Sequence, residues 1–325
     1  MLIKRFFRIE LLVFLIGITS SFGCGGGDGG GGGSPAEVRL LFTDWRSDRI
    51  VEVNDMGGGG WKSFGQEGSG INQFNNPSGV ALDSSGRIYI ADWGNGRIIR
   101  VDDLNGTGWI AFPVPPVGIP PDEQPAGIVI DPSGKIYFSD WTRHRIVRVD
   151  DMVGGGLIEL GVAGSGEKQF NRPAGIALDS SGRIYLADSE NHRIVRMDDM
   201  SGTGWVAFGQ HGGVGNGPGH LSRPLGVALD AQGRIYISDF NNDRVVRVDD
   251  MNGGGWTVLD GAGGFDGPVG VAIDTSGKIY IANNLQRQVV KVDDMSGTGQ
   301  VNLQAPAGEN PIRPVSIAIR PTRLF

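Results

Sequence analysis

Short apolar runs separated by polar turns make up the chain from about residue 38 onward. Residues 171–208 show the pattern most clearly, with apolar runs at Ile176–Leu178, Ile184–Ala187, Ile194–Met197 and Trp205–Phe208. Runs of this length are too short for helices and typical of β-strands. The second run, Ile-Tyr-Leu-Ala, is apolar on both faces, which indicates a strand covered on both sides. We therefore predict a repeating unit of four strands.

The unit recurs along the chain. The residue that ends the second run is Asp in five copies and Asn in the sixth: Asp44, Asp92, Asp140, Asp188, Asp239 and Asn283. Successive copies are 48, 48, 48, 51 and 44 residues apart. A period of roughly 40–50 residues with four strands in each copy is typical of propeller blades. The sequence therefore predicts an all-β fold, a six-bladed β-propeller of four-stranded blades.

The two ends of the chain complement each other. First strands of the type Pro-x-Gly-Val-Ala-Leu begin at Pro77, Pro125, Pro173, Pro224 and Pro268. The N-terminal copy, starting near Arg39, lacks such a strand, whereas Pro314–Ile319 stands alone at the C-terminus. We predict that the C-terminal strand completes the N-terminal blade and closes the ring, because closure removes the exposed edges of an open sheet.

The repeats resemble a known family. Ala-Asp-Ser-Glu-Asn-His-Arg-Ile-Val-Arg, preceded by Pro-Ala-Gly-Ile-Ala-Leu-Asp, is similar to the NHL repeat, and the resemblance covers six units over about residues 38–320. It implies a six-bladed propeller, in agreement with the count of repeats. It implies little about function, since NHL propellers serve as RNA binders, protein-binding platforms, lyase-type enzymes and cell-surface modules.

Residues 1–23 are typical of a signal peptide, with a basic start and a short apolar core at Leu11–Ile18. Gly23-Cys24 resembles the end of a bacterial lipoprotein signal, which implies lipidation of Cys24. The alternative is an ordinary signal peptide followed by an incidental cysteine. Cys24 is the only cysteine of the chain, which favours the lipoprotein interpretation. We expect an exported protein that is lipid-anchored to the bacterial cell envelope, periplasmic or at the cell surface.

The remaining chain divides into a tether and one domain. Residues 24–36 comprise the lipidated cysteine and a Gly-rich tether, and residues 37–325 form the propeller.

The formal charge of −7 makes nucleic acid a poor partner, because phosphate binding relies on clustered Lys and Arg. We expect a monomer.

An Asp and an Arg recur five residues apart, across the loop between the second and third strands. The pairs are Asp44/Arg49, Asp92/Arg97, Asp140/Arg145, Asp188/Arg193 and Asp239/Arg244. A bidentate ion pair that closes the loop fits this spacing. In the sixth copy both partners change together, to Asn283 and Gln288, which preserves a hydrogen bond without burying an unpaired charge. We interpret the pairs as structural rather than catalytic.

Aromatic side chains follow the Asp in four of the six copies. The residues at this position are Trp45, Trp93, Trp141, Ser189, Phe240 and Asn284. Because Ser and Asn occur there too, the fold does not require an aromatic ring at this position. We predict that Trp45, Trp93 and Trp141, in three consecutive blades, form an arc around the channel mouth and bind a peptide or glycan, with Phe240 as a further ligand-binding residue. The alternative is that each ring packs under the neighbouring loop between blades.

Alternating strand directions place the loops between second and third strands on the same face as the loops between blades. The second class includes the long segments Ala111–Gln124 and Gly209–Ser222, so this face varies most and is the candidate binding face. Arg172, Arg223 and Arg313 precede first-strand prolines on this face. They are candidates for attracting an anionic ligand, and the alternative is a solvated rim.

The sequence singles out no catalytic residue, metal site or cofactor. All five tyrosines share one repeat position, as do His144 and His192. Paired acids after each third strand fit either Ca²⁺ binding or the capping of turn backbone, and we favour the capping.

We interpret the protein as a membrane-anchored binding or scaffold propeller that recognises a protein, peptide or glycan of the cell envelope. The alternatives are a lyase-type or lactonase-type propeller enzyme and a purely architectural surface module.

Overall fold

The structure, a computed structural model, describes residues 38–114, 123–209 and 215–320. The predicted signal peptide, Cys24 and the whole tether lie outside these residues. So do residues 115–122 and 210–214 of the two long loops.

Six antiparallel four-stranded sheets, here called blades 1 to 6, make up the described chain. Blade 1 contains β1 (Arg39–Asp44), β2 (Arg49–Val53), β3 (Lys62–Phe64) and, as its innermost strand, β26 (Pro314–Arg320). Blade 2 contains β4 (Pro77–Leu82), β5 (Ile88–Asp92), β6 (Arg97–Val101) and β7 (Ile110–Pro113). Blade 3 contains β8 (Pro125–Ile130), β9 (Ile136–Asp140), β10 (Arg145–Val149) and β11 (Ile158–Leu160).

The loop after blade 3 adds a short parallel pair, β12 (Val162–Ala163) and β13 (Gln169–Phe170). Blade 4 contains β14 (Pro173–Leu178), β15 (Ile184–Asp188), β16 (Arg193–Met197) and β17 (Val206–Phe208). Blade 5 contains β18 (Pro224–Leu229), β19 (Ile235–Asp239), β20 (Arg244–Val248) and β21 (Thr257–Leu259). Blade 6 contains β22 (Pro268–Ile273), β23 (Ile279–Asn283), β24 (Gln288–Val292) and β25 (Val301–Leu303).

The C-terminal strand closes the ring, as the sequence predicts. β26 pairs antiparallel with β1, with Leu40 opposite Ile319 and Phe42 opposite Ile317. The innermost strands β4, β8, β14, β18, β22 and β26 contact one another in this order, and β26 also contacts β4. Residues from the two ends of the chain therefore share one sheet.

The hydrophobic core lies between adjacent blades. Leu41 of blade 1 packs in one cluster with Ile88 and Ile90 of blade 2, and all three side chains are fully buried. Such strands are apolar on both faces because each blade is covered by a neighbour on either side. The tryptophans before the outer strands add to this packing, as Trp109 shows with its ring centroid 5.5 Å from that of Phe74.

Glycines allow the innermost strands to approach each other closely. A Cβ atom on Gly127 of β8 would lie 2.4 Å from the carbonyl oxygen of Ala174 in β14. Equivalent collisions occur at Gly79, Gly175, Gly226 and Gly270. The glycine of the repeated Pro-x-Gly strand thus fits inner strands that pack backbone against backbone.

The loops between second and third strands lie beside the loops between blades, as strand alternation predicts. Trp45 N–H donates to the Arg313 carbonyl, Gly94 N–H to the Asn75 carbonyl and Glu190 N–H to the Asn171 carbonyl. We call the face formed by these two loop classes the upper face. Four of its loops contain 3₁₀ turns: Trp45–Ser47, Trp93–Asn95, Ser189–Asn191 and Phe240–Asn242.

Candidate functional site

The recurring Asp–Arg pairs hold each upper-face loop to its neighbour. In blade 2, Arg97 Nε donates to Asp92 Oδ2 at 2.7 Å, and Asp92 Oδ1 accepts the Asn75 N–H at 2.7 Å. The terminal nitrogens of Arg97 donate to loop carbonyls, including those of Ser69 and Gln73. The guanidinium therefore bridges its carboxylate to the preceding inter-blade loop, which differs from the bidentate pair expected from the spacing.

All five predicted pairs form ion pairs with Nε–Oδ2 distances of 2.7–3.0 Å: Asp44/Arg49, Asp92/Arg97, Asp140/Arg145, Asp188/Arg193 and Asp239/Arg244. Burial raises the pKa of Asp92, Asp188 and Asp239, while backbone and side-chain donors act in the opposite direction. Every one of these carboxylates is fully buried and hydrogen-bonded, so its role in the structure is to hold the loop.

The neutral pair of blade 6 is organised differently from the direct hydrogen bond expected. Asn283 Nδ2 and Gln288 Nε2 both donate to Gln286 Oε1, at 2.7 and 2.8 Å. The side-chain oxygen of Gln286 therefore links the two amides. Blade 6 consequently has no guanidinium at this position to bind the loop before it.

The predicted aromatic residues divide into two groups. The rings of Trp45 and Trp93 lie 4.9 Å apart at 53°, and both residues are half-buried. Trp141 packs beside Arg172 and Arg223, whose guanidinium carbons lie 5.9 and 5.7 Å from its ring. Phe240 is only 7% exposed, which leaves little of this ring to act as an interface anchor.

Ser189 and Asn284, the two polar residues at this repeat position, form structural hydrogen bonds. Ser189 Oγ donates to the Pro224 carbonyl at 2.7 Å, and Asn284 Nδ2 donates to the Pro314 carbonyl at 3.0 Å. Each therefore ties its loop to the first residue of the next inner strand. A polar residue here stabilises the upper face without any aromatic ring.

Two of the three candidate arginines, Arg172 and Arg223, share one carboxylate. Arg223 Nε lies 3.0 Å from Glu190 Oε1, and Arg172 Nη1 lies 4.0 Å from the same oxygen. Burial lowers the pKa of Arg223, and the Arg172 charge lowers it further, while Glu190 acts against this shift. Glu190, a residue missed from the sequence, therefore offsets one of the two positive charges on this side of the face.

Arg313 is in a different position. It is half-buried, its Nε and Nη1 are buried without a hydrogen-bond partner, and it forms no ion pair within the described residues. Burial lowers the pKa of Arg313, and the charges of Arg287 and Arg46 lower it further, with Asp266 acting in the opposite direction. Arg46 and Arg287 were missed from the sequence. The signal for Arg287 is that it occupies a position that holds Asp or His in four other blades.

A cavity of about 250 Å³ opens on the same side. Its lining comes from Gln286, Arg287, Gln304, Ala305, Glu309 and Pro311. It lies between the β23–β24 loop of blade 6 and the segment that leads from β25 to β26. This is the junction at which the Asp–Arg pair is replaced by Asn283 and Gln288.

The paired acidic residues cap turns on the opposite face. Asp103 Oδ1 accepts the backbone N–H groups of Asn105 and Thr107, and Asp199, Asp250 and Asp294 bind their own turns in the same way. In the part of the chain that the structure describes, no group of three or more His, Cys, Asp or Glu is arranged to hold a metal ion. The same residues contain no helix of the length and apolarity that crossing a bilayer requires.

Comparisons with known proteins agree with the repeat and the fold. The family model described as the NHL repeat matches residues 74–100, 170–197 and 221–247. Curated proteins give no match.

Solved structures show the same architecture at low identity. The crystal structure of a nidogen/laminin complex contains a chain that is 21% identical, with a TM-score of 0.68 over 88% of this chain and 99% of that chain. A catalytically inactive virginiamycin B lyase from Staphylococcus aureus is 16% identical, with a TM-score of 0.58 over 86% and 88%. A protein of unknown function from Bacteroides caccae is 14% identical, with a TM-score of 0.63 over 87% and 98%. These likenesses concern the fold. The chain therefore contains NHL repeats within a six-bladed β-propeller.

Proposed function

We propose that the protein is a binding module whose upper face recognises a protein, peptide or glycan through the Trp45–Trp93 pair. The observation that carries this proposal is a pair of half-buried indole rings at a repeat position where the fold accepts Ser or Asn. Exposed aromatic rings supply a large contact area at a low cost in conformational entropy, and they are enriched among residues that dominate binding energy.

A binding role also agrees with the remaining chemistry of the face. The recurring carboxylates accept hydrogen bonds from their own loops, and His144 and His192 accept backbone N–H groups. These groups therefore act in the fold.

The test uses replacements that the chain itself contains at this position. In the Trp45→Ser/Trp93→Asn variant, the new side chains have the donors that Ser189 and Asn284 use to bind the next inner strand. We expect the full-length variant to melt within a few degrees of the wild type and to lose binding to arrayed oligosaccharides and peptides.

Val153→Ser is the matched control, because Val153 is 87% exposed and lies in the β10–β11 loop of the opposite face. Array binding that persists in the tryptophan double variant would contradict the proposal. So would a wild-type protein that binds nothing on either array.

We further propose that Cys24 carries a lipid anchor that holds this module at the envelope. The support is its position directly after a basic and apolar leader, as the only cysteine of the chain. Cys24→Ser is expected to move the protein from the membrane fraction to the soluble fraction on cell fractionation, and unchanged membrane association would exclude the anchor.

A further inference from the structure

The junction between blades 6 and 1 departs from the other blade junctions in charge. The ion pair is replaced there by the neutral residues Asn283 and Gln288, and the residue before Gln288 is Arg287. In four other blades the residue before the paired arginine is an acid or a histidine: Asp48, His144, His192 and Asp243. Those four residues accept a backbone N–H from the start of the next blade. A guanidinium has no acceptor atom, so Arg287 places a positive charge where four other junctions have an acceptor.

Arg313 stands out among the arginines that contain a buried nitrogen without a hydrogen-bond partner. The others each lie within 4 Å of a carboxylate: Arg100, Arg143, Arg148, Arg196, Arg223, Arg247 and Arg320. Arg313 has no such carboxylate among the described residues. Burying guanidinium donors without an acceptor costs free energy, which a bound anion would recover.

The surrounding groups form an excess of positive charge. Arg46 and Arg287 are exposed, form no ion pair within the described residues, and carry charges that lower the pKa of Arg313. The exposed carboxylate of Asp266 acts against them and raises the pKa of Arg313. Glu309, which lines the cavity beside Arg287, is already paired with Arg49. In a chain with a net charge of −7, three clustered arginines without partners are a local feature and not a consequence of composition.

We propose that the junction of blades 6 and 1 binds the oxyanion group of a polar ligand through Arg313, Arg287 and Arg46. The amides of Gln286 and Gln304 line the adjoining cavity and would contact the hydroxyl or amide groups of the same ligand. This inference rests on the proposed function, since it names the charge of the ligand that the upper face takes. The cavity volume of about 250 Å³ suits one sugar ring or one amino acid residue bearing a carboxylate or a phosphate.

The test measures the binding of defined anions to the full-length protein by calorimetry at low ionic strength, where screening is weak. The probes are inorganic phosphate and glucuronate, with glucose as the neutral control, and they separate a phosphate site from a carboxylate site. We expect one anion per chain and no heat from glucose. Arg313→Gln should weaken binding about 10-fold or more, because it removes charge-assisted hydrogen bonds.

The variants are chosen so that folding is retained. Gln124 already occupies the pre-proline position of blade 3, and the hydrogen bonds of Arg313 to Asp44 and Trp45 use backbone atoms, so Arg313→Gln preserves them. Arg287 has a φ of 59°, a conformation that asparagine tolerates, so Arg287→Asn removes the charge without adding strain. Arg247 is paired with Asp249 on blade 5, so Arg247→Gln is the matched control. This variant should bind the anion like the wild type.

Two results would overturn the inference: wild-type protein that binds neither anion, or Arg313→Gln and Arg287→Asn variants that bind as tightly as the wild type. The array experiment on Trp45→Ser/Trp93→Asn separates the two proposals. Array binding that needs the tryptophans but not Arg313 refutes the anion site alone. Anion binding that needs Arg313, combined with array binding indifferent to the tryptophans, refutes the proposed function alone.

Discussion

At the scale of single residues, the residue before the paired arginine, which has a left-handed backbone conformation, links one blade to the next. Asp48, His144, His192 and Asp243 have φ values of 49–57° and accept the N–H of Asn76, Arg172, Arg223 and Gly267, which are themselves left-handed. Gly96 and Arg287 carry no acceptor, and the pre-proline residues that follow them, Gln124 and Arg313, are not left-handed. The acceptor therefore stabilises a strained backbone conformation in the next blade.

The two histidines at this position make folding sensitive to acid. Burial lowers the pKa of His192, and Arg223 lowers it further, while Glu190, Asp239 and Asp188 act in the opposite direction. Because the folded-state pKa is below the unfolded value of about 6.5, the stabilisation is complete above that value. It is lost as the pH falls below about 6.5 and through the folded-state pKa, since a protonated Nδ1 cannot accept the Arg223 N–H.

We expect His192→Asn to reduce this acid sensitivity by about 1 kcal/mol, the value of one hydrogen bond, because asparagine tolerates the conformation and keeps an acceptor. Urea unfolding at pH 7.5 and pH 5.5 measures the difference. His220→Asn, which removes a histidine that lies outside this acceptor position, should leave the pH dependence unchanged. Equal acid sensitivity in wild type and His192→Asn would show that the histidine does not carry the effect.

At the scale of strands and loops, the sequence predicts regular features better than junctions. Pro-x-Gly strands and terminal Asp residues each recur in five of the six copies, and Pro314 and Asn283 mark the sixth, so the strands of each blade and the closure could be predicted. Gln286, Glu190 and the charges around Arg313 act through contacts between blades, which the repeat period alone does not describe. The short parallel pair β12–β13 was also missed, although Gly-x-x-Gly-Ser-Gly-x-x-Gln-Phe occurs twice, at 65–74 and 161–170.

The close approach of inner strands predicts a strong effect of adding a single methyl group. Gly127→Ala would place Cβ 2.4 Å from the Ala174 carbonyl oxygen, a backbone atom that can move only with its strand. We expect a loss of about 2–3 kcal/mol, typical of overpacking, measured by urea unfolding.

Ser316→Ala is the matched control for this variant. Ser316 occupies the glycine position in β26, where its Oγ accepts the Val80 N–H at 3.2 Å, so this variant retains a Cβ that the site already accommodates. It should lose about 1 kcal/mol, the value of that hydrogen bond. Equal losses in the two variants would argue against backbone contact as the reason for glycine.

At the scale of the whole molecule, stability depends on a strand that is distant in sequence from its sheet. β26 supplies the innermost strand of blade 1, and its neighbours in the ring are β22 and β4. Ser316 N–H donates to Thr43 Oγ1, and Arg313 N–H donates to the buried Asp44. The two ends of the chain must therefore meet before the last blade is complete, which makes closure a contact of very high sequence separation.

Truncation after Asn310 removes β26, the three residues before it and the five residues after it. We expect a loss of several kcal/mol or aggregation, because β1, β4 and β22 would each lose a packing neighbour and β1 would become an open edge. Thermal melting together with light scattering measures both outcomes.

The chain truncated after Arg320 is the control, because it retains β26, and it should melt like the full-length protein. A peptide of residues 311–325 added in trans should restore part of the melting temperature of the shorter chain by pairing with β1. If the chain that ends at Asn310 melts like the full-length protein, the ring does not depend on closure by its C-terminal strand.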